Sequence, residues 1–180
     1  MIARFDGYGS HTPIMDTIFS NRSINTVLEL GVGEFSTRYF IEDKKVKLTS
    51  IESQSEEWYE KTKAINPDIV WMPEKDRLFD WAYNLKDMFD LILIDNNNEY
   101  RWHLVDRLQK NTRYLILHDT EQSIYNYHLC TLKEGYSITD FVLYRPWVGL
   151  ITDDIEMRDI LGEQFPHIAY RNIADKFYVN

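Results

Sequence analysis

The residues best suited to chemistry sit in a few short stretches. Val27-Leu28-Glu29-Leu30-Gly31-Val32-Gly33 runs an apolar stretch into a Gly-x-Gly turn, and a second apolar run closes on Glu52 nineteen positions after Gly33. Glycines at such a turn let backbone approach a ligand where a helix begins. A carboxylate at the tip of the next strand can then accept hydrogen bonds from a ribose. The pairing predicts a nucleotide-type cofactor. Asp95 and Asp119 each follow an apolar run. Two carboxylates converging beside an amide such as Asn96 suit Mg²⁺ or a similar hard cation, which would lower the pKa of a substrate hydroxyl. The alternative is that they cap the helices that follow. His118 and His11 are candidate general bases, because an unperturbed imidazole pKa of about 6.5 suits proton removal at neutral pH. Adjacent strand residues point to opposite faces, so only one of His118 and Asp119 faces a cleft if the strand runs through both. Glu74 or Asp76 could accept from an adenine amine, although a solvated charged loop reads the same way.

Regularly spaced apolar runs predict the elements that hold these groups. Residues 26–30, 47–51, 69–72, 91–94 and 114–117 are compact runs without strict alternation, as expected of parallel strands covered on both faces. The intervening segments 36–41, 56–65, 79–87 and 99–110 read as crossover helices, and alternation of the two kinds predicts an open α/β sheet. A short helix over 14–19 is expected before them, with Thr12 as N-cap and Pro13 at its first position. Residues 141–144 and 148–152 are separated only by Arg145-Pro146-Trp147. That gap cannot hold a crossover helix, so the two must pair as an antiparallel hairpin. A final helix is expected over 153–164, its acidic start favoured by the helix dipole, and the tail to Asn180 is expected to add an edge element.

Bulk properties narrow the function classes. The 180 residues suit one domain with a real core, and 44% hydrophobic and 14% aromatic content is ordinary globular material. Acidic residues outnumber basic ones, 29 to 20, for a formal charge of −9. A field of that sign opposes non-specific binding to phosphate backbones, which disfavours nucleic acid as a partner. The longest apolar stretches fall far short of the roughly 20 residues that span a bilayer, and the N-terminus has no signal-peptide apolar region. Cys130 is the one cysteine, so there is no disulfide framework, and a cytoplasmic setting is expected.

On these motifs the chain resembles the class I S-adenosylmethionine-dependent methyltransferases over roughly residues 24–152. The resemblance implies a Rossmann-like open sheet of five parallel strands closed by a C-terminal antiparallel β-hairpin, seven strands in all. Residues 1–23 would form an N-terminal lid and helix, 24–152 the cofactor-binding core, and 153–180 a C-terminal helix and tail. Glu29-Leu30-Gly31-Val32-Gly33 is similar to the family's first motif, and Glu52, in Ser50-Ile51-Glu52-Ser53, matches its ribose-binding acidic position. The implied cofactor set is Glu29, Gly31, Gly33, Ser36, Glu52, Ser53, Asp76 and Asp95, the last beneath the methionine amino group. Ser36 stands where the third glycine usually lies, which a methionine carboxylate tolerates better than a dinucleotide pyrophosphate does. Asp95, His118, Asp119 and His11 would carry the acceptor chemistry, with Asp95 and Asp119 as metal ligands. Related sequences often carry a histidine shortly after the strand-four aspartate; here Asn96-Asn97-Asn98-Glu99 follows Asp95, so that role is not carried over. Tyr8-Gly9-Ser10-His11-Thr12-Pro13 and His118-Asp119-Thr120-Glu121 resemble a bacterial and phage branch of these enzymes. Methyl transfer to an oxygen or nitrogen of a small or sugar-like acceptor is the expected activity. The rival expectation keeps the fold without catalysis, as a nucleoside-binding accessory factor that acts through a protein partner. Tyr100-Arg101-Trp102 and Trp147 are candidate walls of the acceptor pocket, and the hairpin and tail a candidate homo-oligomer interface.

Overall fold

Alternate residues of the central strands are buried on opposite faces, which explains why their sequences read as unbroken apolar runs. A computed structural model describes residues 9–96, 99–142, 146–165 and 168–171. Its strands are β1 (Thr26–Leu30), β2 (Lys47–Glu52), β3 (Val70–Trp71), β4 (Phe89–Ile94), β5 (Thr112–His118), β6 (Ser137–Phe141), β7 (Val148–Thr152) and β8 (Ile168–Arg171). Its helices are α1 (Thr12–Asn21), α2 (Glu34–Arg38), α3 (Glu56–Lys63), α4 (Lys75–Asn84), α5 (Arg101–Leu108) and α6 (Ile155–Gln164). Leu28, Ile92, Ile94, Leu115 and Leu117 pack on one face of the sheet, in one cluster with Leu78, Ala82, Leu104 and Leu108 of α4 and α5. Val27, Leu91, Leu93 and Ile116 take the other face, in one cluster with Met15 and Ile18 of α1 and Met157 and Leu161 of α6. Burial of each such side chain contributes about 1.5–3 kcal/mol.

The strands lie in the order β3-β2-β1-β4-β5-β7-β6-β8. The first five are parallel, β7 pairs antiparallel with both β5 and β6, and β8 extends the far edge. The expected five-plus-hairpin sheet is present, and the anticipated edge element is β8. The chain leaves β1 toward β2 and β3, then returns to lay β4 on the other side of β1. That reversal is the topological switch point where open α/β sheets bind ligands.

Several boundaries differ from the sequence-based expectations. β6 begins at Ser137 and pairs Phe141 with Val148, so the hairpin connection spans 142–147. Thr139 and Asp140, both buried, give β6 a polar sequence that hides it. Part of the expected strand over 141–144 lies outside the described residues, as does the lid over 1–8. The first residue of the expected helix over 79–87 moves back to Lys75, because its opening turn is exposed and only Leu78 and Ala82, four apart, mark the buried stripe. α1 begins after His11 rather than with Thr12 as N-cap, and no side chain caps it. The segment after β1 is α2 running into a π-helical turn over Tyr39–Asp43. At the other end Asp154 caps α6, its side chain accepting from Met157 N at 3.0 Å and from Arg22 Nε at 2.8 Å.

Candidate functional site

The carboxyl ends of β1, β2, β4 and β5 open into a pocket of about 560 Å³ at the switch point. Its floor is the turn after β1. Gly31 has φ +82°, and a Cβ there would lie 2.4–2.5 Å from the backbone of Asp95 and Asn96. Only glycine fits. The close approach carries the ladder outward, with Gly31 N donating to Ile51 O at 2.9 Å and Asp95 N to Leu30 O at 2.7 Å. Gly33 lines the pocket in an extended conformation, and a Cβ there would make an ordinary 3.5 Å contact with Ser36 Oγ. Its backbone does not demand glycine. Ser36 lines the same wall.

Glu52 stands at the end of β2 and faces the pocket, yet its carboxylate is already engaged. Oε1 accepts from the backbone N–H groups of Ser53, Gln54 and Ser55 at 2.8–3.0 Å, and Oε2 accepts from Val32 N at 3.1 Å. It therefore ties the glycine turn to the loop that leads into α3. A carboxylate oxygen has about two strong acceptor positions. Oε1 is saturated, and Oε2 retains one acceptor position.

Three residues expected at the cofactor do not line the pocket. Glu29 is fully buried behind the turn, where Thr37 Oγ1 donates at 2.9 Å and Ser50 Oγ at 2.8 Å, joining β1 to α2 and β2. Ser53 contributes its backbone N–H to Glu52 instead of a side chain to the cavity. Asp76 lies exposed in the first turn of α4, and Glu74 is exposed just before it. Trp58 and Tyr125 are on the lining, whereas Trp147, Tyr100 and Trp102 are not.

Burial of the Glu29 carboxyl raises its pKa to about 7, against the opposing hydrogen bonds from serine and threonine hydroxyls. The folded state thus holds this proton more tightly than the unfolded chain, whose value is 4.5. The resulting penalty is absent below about pH 4.5, grows as pH rises, and is complete above about pH 7. Glu29→Gln keeps the shape and removes the titration. In urea denaturation the parent is expected to lose roughly 3 kcal/mol relative to this variant between pH 4.5 and 8. A constant difference across that range would contradict the assignment.

On the opposite wall β5 ends at His118, and Asp119 turns away with φ +58°. Because the strand stops there, both side chains reach the pocket. His118 is buried, with Nδ1 2.9 Å from Asp95 Oδ1 and 3.5 Å from Asp119 Oδ2, and with Nε2 3.0 Å from Ser10 Oγ. Burial works to lower its pKa, but the two carboxylates outweigh that and carry it up to about 9. His11 packs edge-on against His118, ring centroids 5.3 Å apart, and burial together with that neighbour pulls its pKa down to about 4. Asn96, also buried, lines the pocket.

Arg101, 1% exposed, is the group whose role the sequence does not reveal. It belongs to α5, and its Nη1 donates to His118 O at 2.6 Å while Nε donates to Asn96 O. Nη2 lies 3.5 Å from Asp95 Oδ1 and 3.3 Å from Asp119 Oδ2, and the guanidinium stacks 3.7 Å from the Tyr125 ring centroid. The expected magnesium pair, Asp95 and Asp119, is therefore bridged by a fixed cation. An arginine between Tyr100 and Trp102 reads as part of a pocket wall, and Arg101 does line the pocket, but nothing local marks it as the clamp between two strand ends.

No protein-family model matches the chain, and no curated protein matches it in sequence. Solved structures do match in fold. An O-methyltransferase from Bacillus cereus in complex with S-adenosylhomocysteine superposes at TM-score 0.57 and 15% identity, over 84% of this chain and 80% of that one. The N-methyltransferase NodS from Bradyrhizobium japonicum, also with S-adenosylhomocysteine, gives 0.53 and 14% over 83% and 87%. The S-adenosylhomocysteine-bound Podospora anserina methyltransferase PaMTH1 gives 0.55 and 14% over 78% and 77%. The chain has the class I methyltransferase fold.

Proposed function

We propose that the protein binds S-adenosylmethionine and transfers its methyl group to an oxygen or nitrogen of a small-molecule acceptor. The observation that carries this reading is the pocket at the switch point. It is floored by Gly31, walled by Glu52 and Asp95, and set in a fold whose solved neighbours hold S-adenosylhomocysteine. The adenosine ribose would lie toward Glu52 Oε2, and the methionine end over the Gly31–Ser36 turn near Asp95. The acceptor would enter on the side of His11, His118 and Asp119.

In the reaction the acceptor lone pair attacks the sulfonium methyl in line, and the carbon–sulfur bond breaks with its electrons returning to sulfur. The acceptor proton leaves to His11, Asp95 or Asp119, the proton-accepting side chains on that wall. Positioning the two reactants contributes several kcal/mol. No covalent intermediate with the protein is required.

Calorimetric titration with S-adenosylhomocysteine tests the binding. The parent chain should bind one equivalent, and Glu52→Ala should bind about 10- to 100-fold more weakly, the cost of one charge-assisted hydrogen bond and a loosened loop. Equal affinity in the two proteins would remove the basis of the assignment. Incubation with labelled S-adenosylmethionine and panels of hydroxyl and amine acceptors tests the transfer. Tight binding with no S-adenosylhomocysteine released across both panels would favour an accessory protein that uses the nucleoside as a ligand.

A further inference from the structure

We infer that His11, Asp95 and His118 form a site for a first-row transition ion such as Zn²⁺, distinct in chemistry from the all-oxygen magnesium pair expected from the sequence. One ligand atom from each of the three lies within 4.8 Å of the others. Ligand atoms around one tetrahedral zinc ion bound at about 2.0–2.2 Å are about 3.3–3.6 Å apart, so closure by at most roughly 1.5 Å completes the set. Two imidazoles and one carboxylate are the donor set of zinc and its neighbours, whereas magnesium takes oxygen ligands and keeps its waters.

Independent observations support the convergence. Both ring nitrogens of His11 are buried without a hydrogen-bond partner among the described residues, although His11 lines the pocket. An unpartnered buried nitrogen is costly, and a bound ion would remove that cost. The ring is also firmly placed: His11 O accepts from Met15 N at 3.1 Å, and Met15 and Ile18 of α1 are fully buried. His118 carries a support of the kind metal-ligating histidines use, with Ser10 Oγ 3.0 Å from Nε2 leaving Nδ1 toward Asp95. Nδ1 lies 2.9 Å from Asp95 Oδ1, so these two donors already converge. Arg101 lies 3.3 Å from Asp119 Oδ2 and 3.5 Å from Asp95 Oδ1, and Asp119 stays outside the cluster. Coordination positions left by the three side chains would face the pocket. There the ion would lower the pKa of an acceptor hydroxyl and leave Asp119 to take its proton, a consequence that rests on the methyl-transfer reading; metal binding itself does not.

The test titrates Co²⁺ into the EDTA-treated full chain and follows its visible d–d absorption. One equivalent should bind, Zn²⁺ should displace it, and millimolar Mg²⁺ should leave the spectrum unchanged. His11→Ala and the bulkier His11→Gln should each weaken Co²⁺ binding at least about 100-fold, while exposed His128→Ala should bind as the parent does. Circular dichroism and S-adenosylhomocysteine titration of the same variants establish that fold and nucleoside pocket persist. Absence of stoichiometric binding, full displacement by Mg²⁺, or undiminished binding in both His11 variants would overturn the site. Metal-free titration with S-adenosylhomocysteine reports on the methyl-transfer reading separately.

Discussion

Arg101→Met is expected to destabilise the protein by about 3–5 kcal/mol, the cost of leaving buried charges without their partner. In the parent, one guanidinium serves two main-chain carbonyls at the ends of β4 and β5 and lies against both carboxylates. Methionine fills much of the volume but leaves Asp95 and Asp119 with His118 as their remaining cationic neighbour and Asn96 O without its guanidinium donor, while His118 O keeps the Tyr127 hydroxyl at 3.2 Å. Arg101→Lys should recover less than half of the loss, since an ammonium has no planar fork to span four acceptors at once. Urea denaturation at pH 7 gives both values. A methionine variant within about 1 kcal/mol of the parent would show that the arginine is a passive occupant.

Gly31→Ala is the second large effect. The left-handed φ costs an L-residue about 1–2 kcal/mol, and forcing a methyl into the backbone of Asp95 and Asn96 adds about 1–3 kcal/mol. A combined loss of about 2–5 kcal/mol corresponds to a drop in Tm of roughly 4–20 °C for a chain of this size. Calorimetry should show it, together with weakened binding of S-adenosylhomocysteine. Gly33→Ala is the control. It should shift Tm by only a few degrees, because its Cβ would meet nothing closer than 3.5 Å.

The sequence made β1, β4 and β5 readable because each is buried on both faces, and β1 was legible to the residue. β6 was not, since its buried residues include the polar Thr139 and Asp140, which break the apolar run. Helix starts such as Lys75 were invisible for the opposite reason: an exposed first turn carries no apolar signal. In the site, the Gly31 turn and the position of Glu52 were legible from local spacing. The roles of Glu29 and Arg101 were not, because each depends on which distant hydroxyl, carbonyl or carboxylate the fold brings beside it. The same holds for His11, which meets His118 only because α1 packs beneath the sheet.

The two outermost strands bear on how copies of the protein can meet. β3 contributes only two residues at one margin of the sheet and β8 four at the other, while the longest ladders lie inside. Rows of open N–H and C=O groups are what recruit a foreign strand, and here such rows are brief. Along the described residues, continuation of the sheet into a second copy is thereby discouraged.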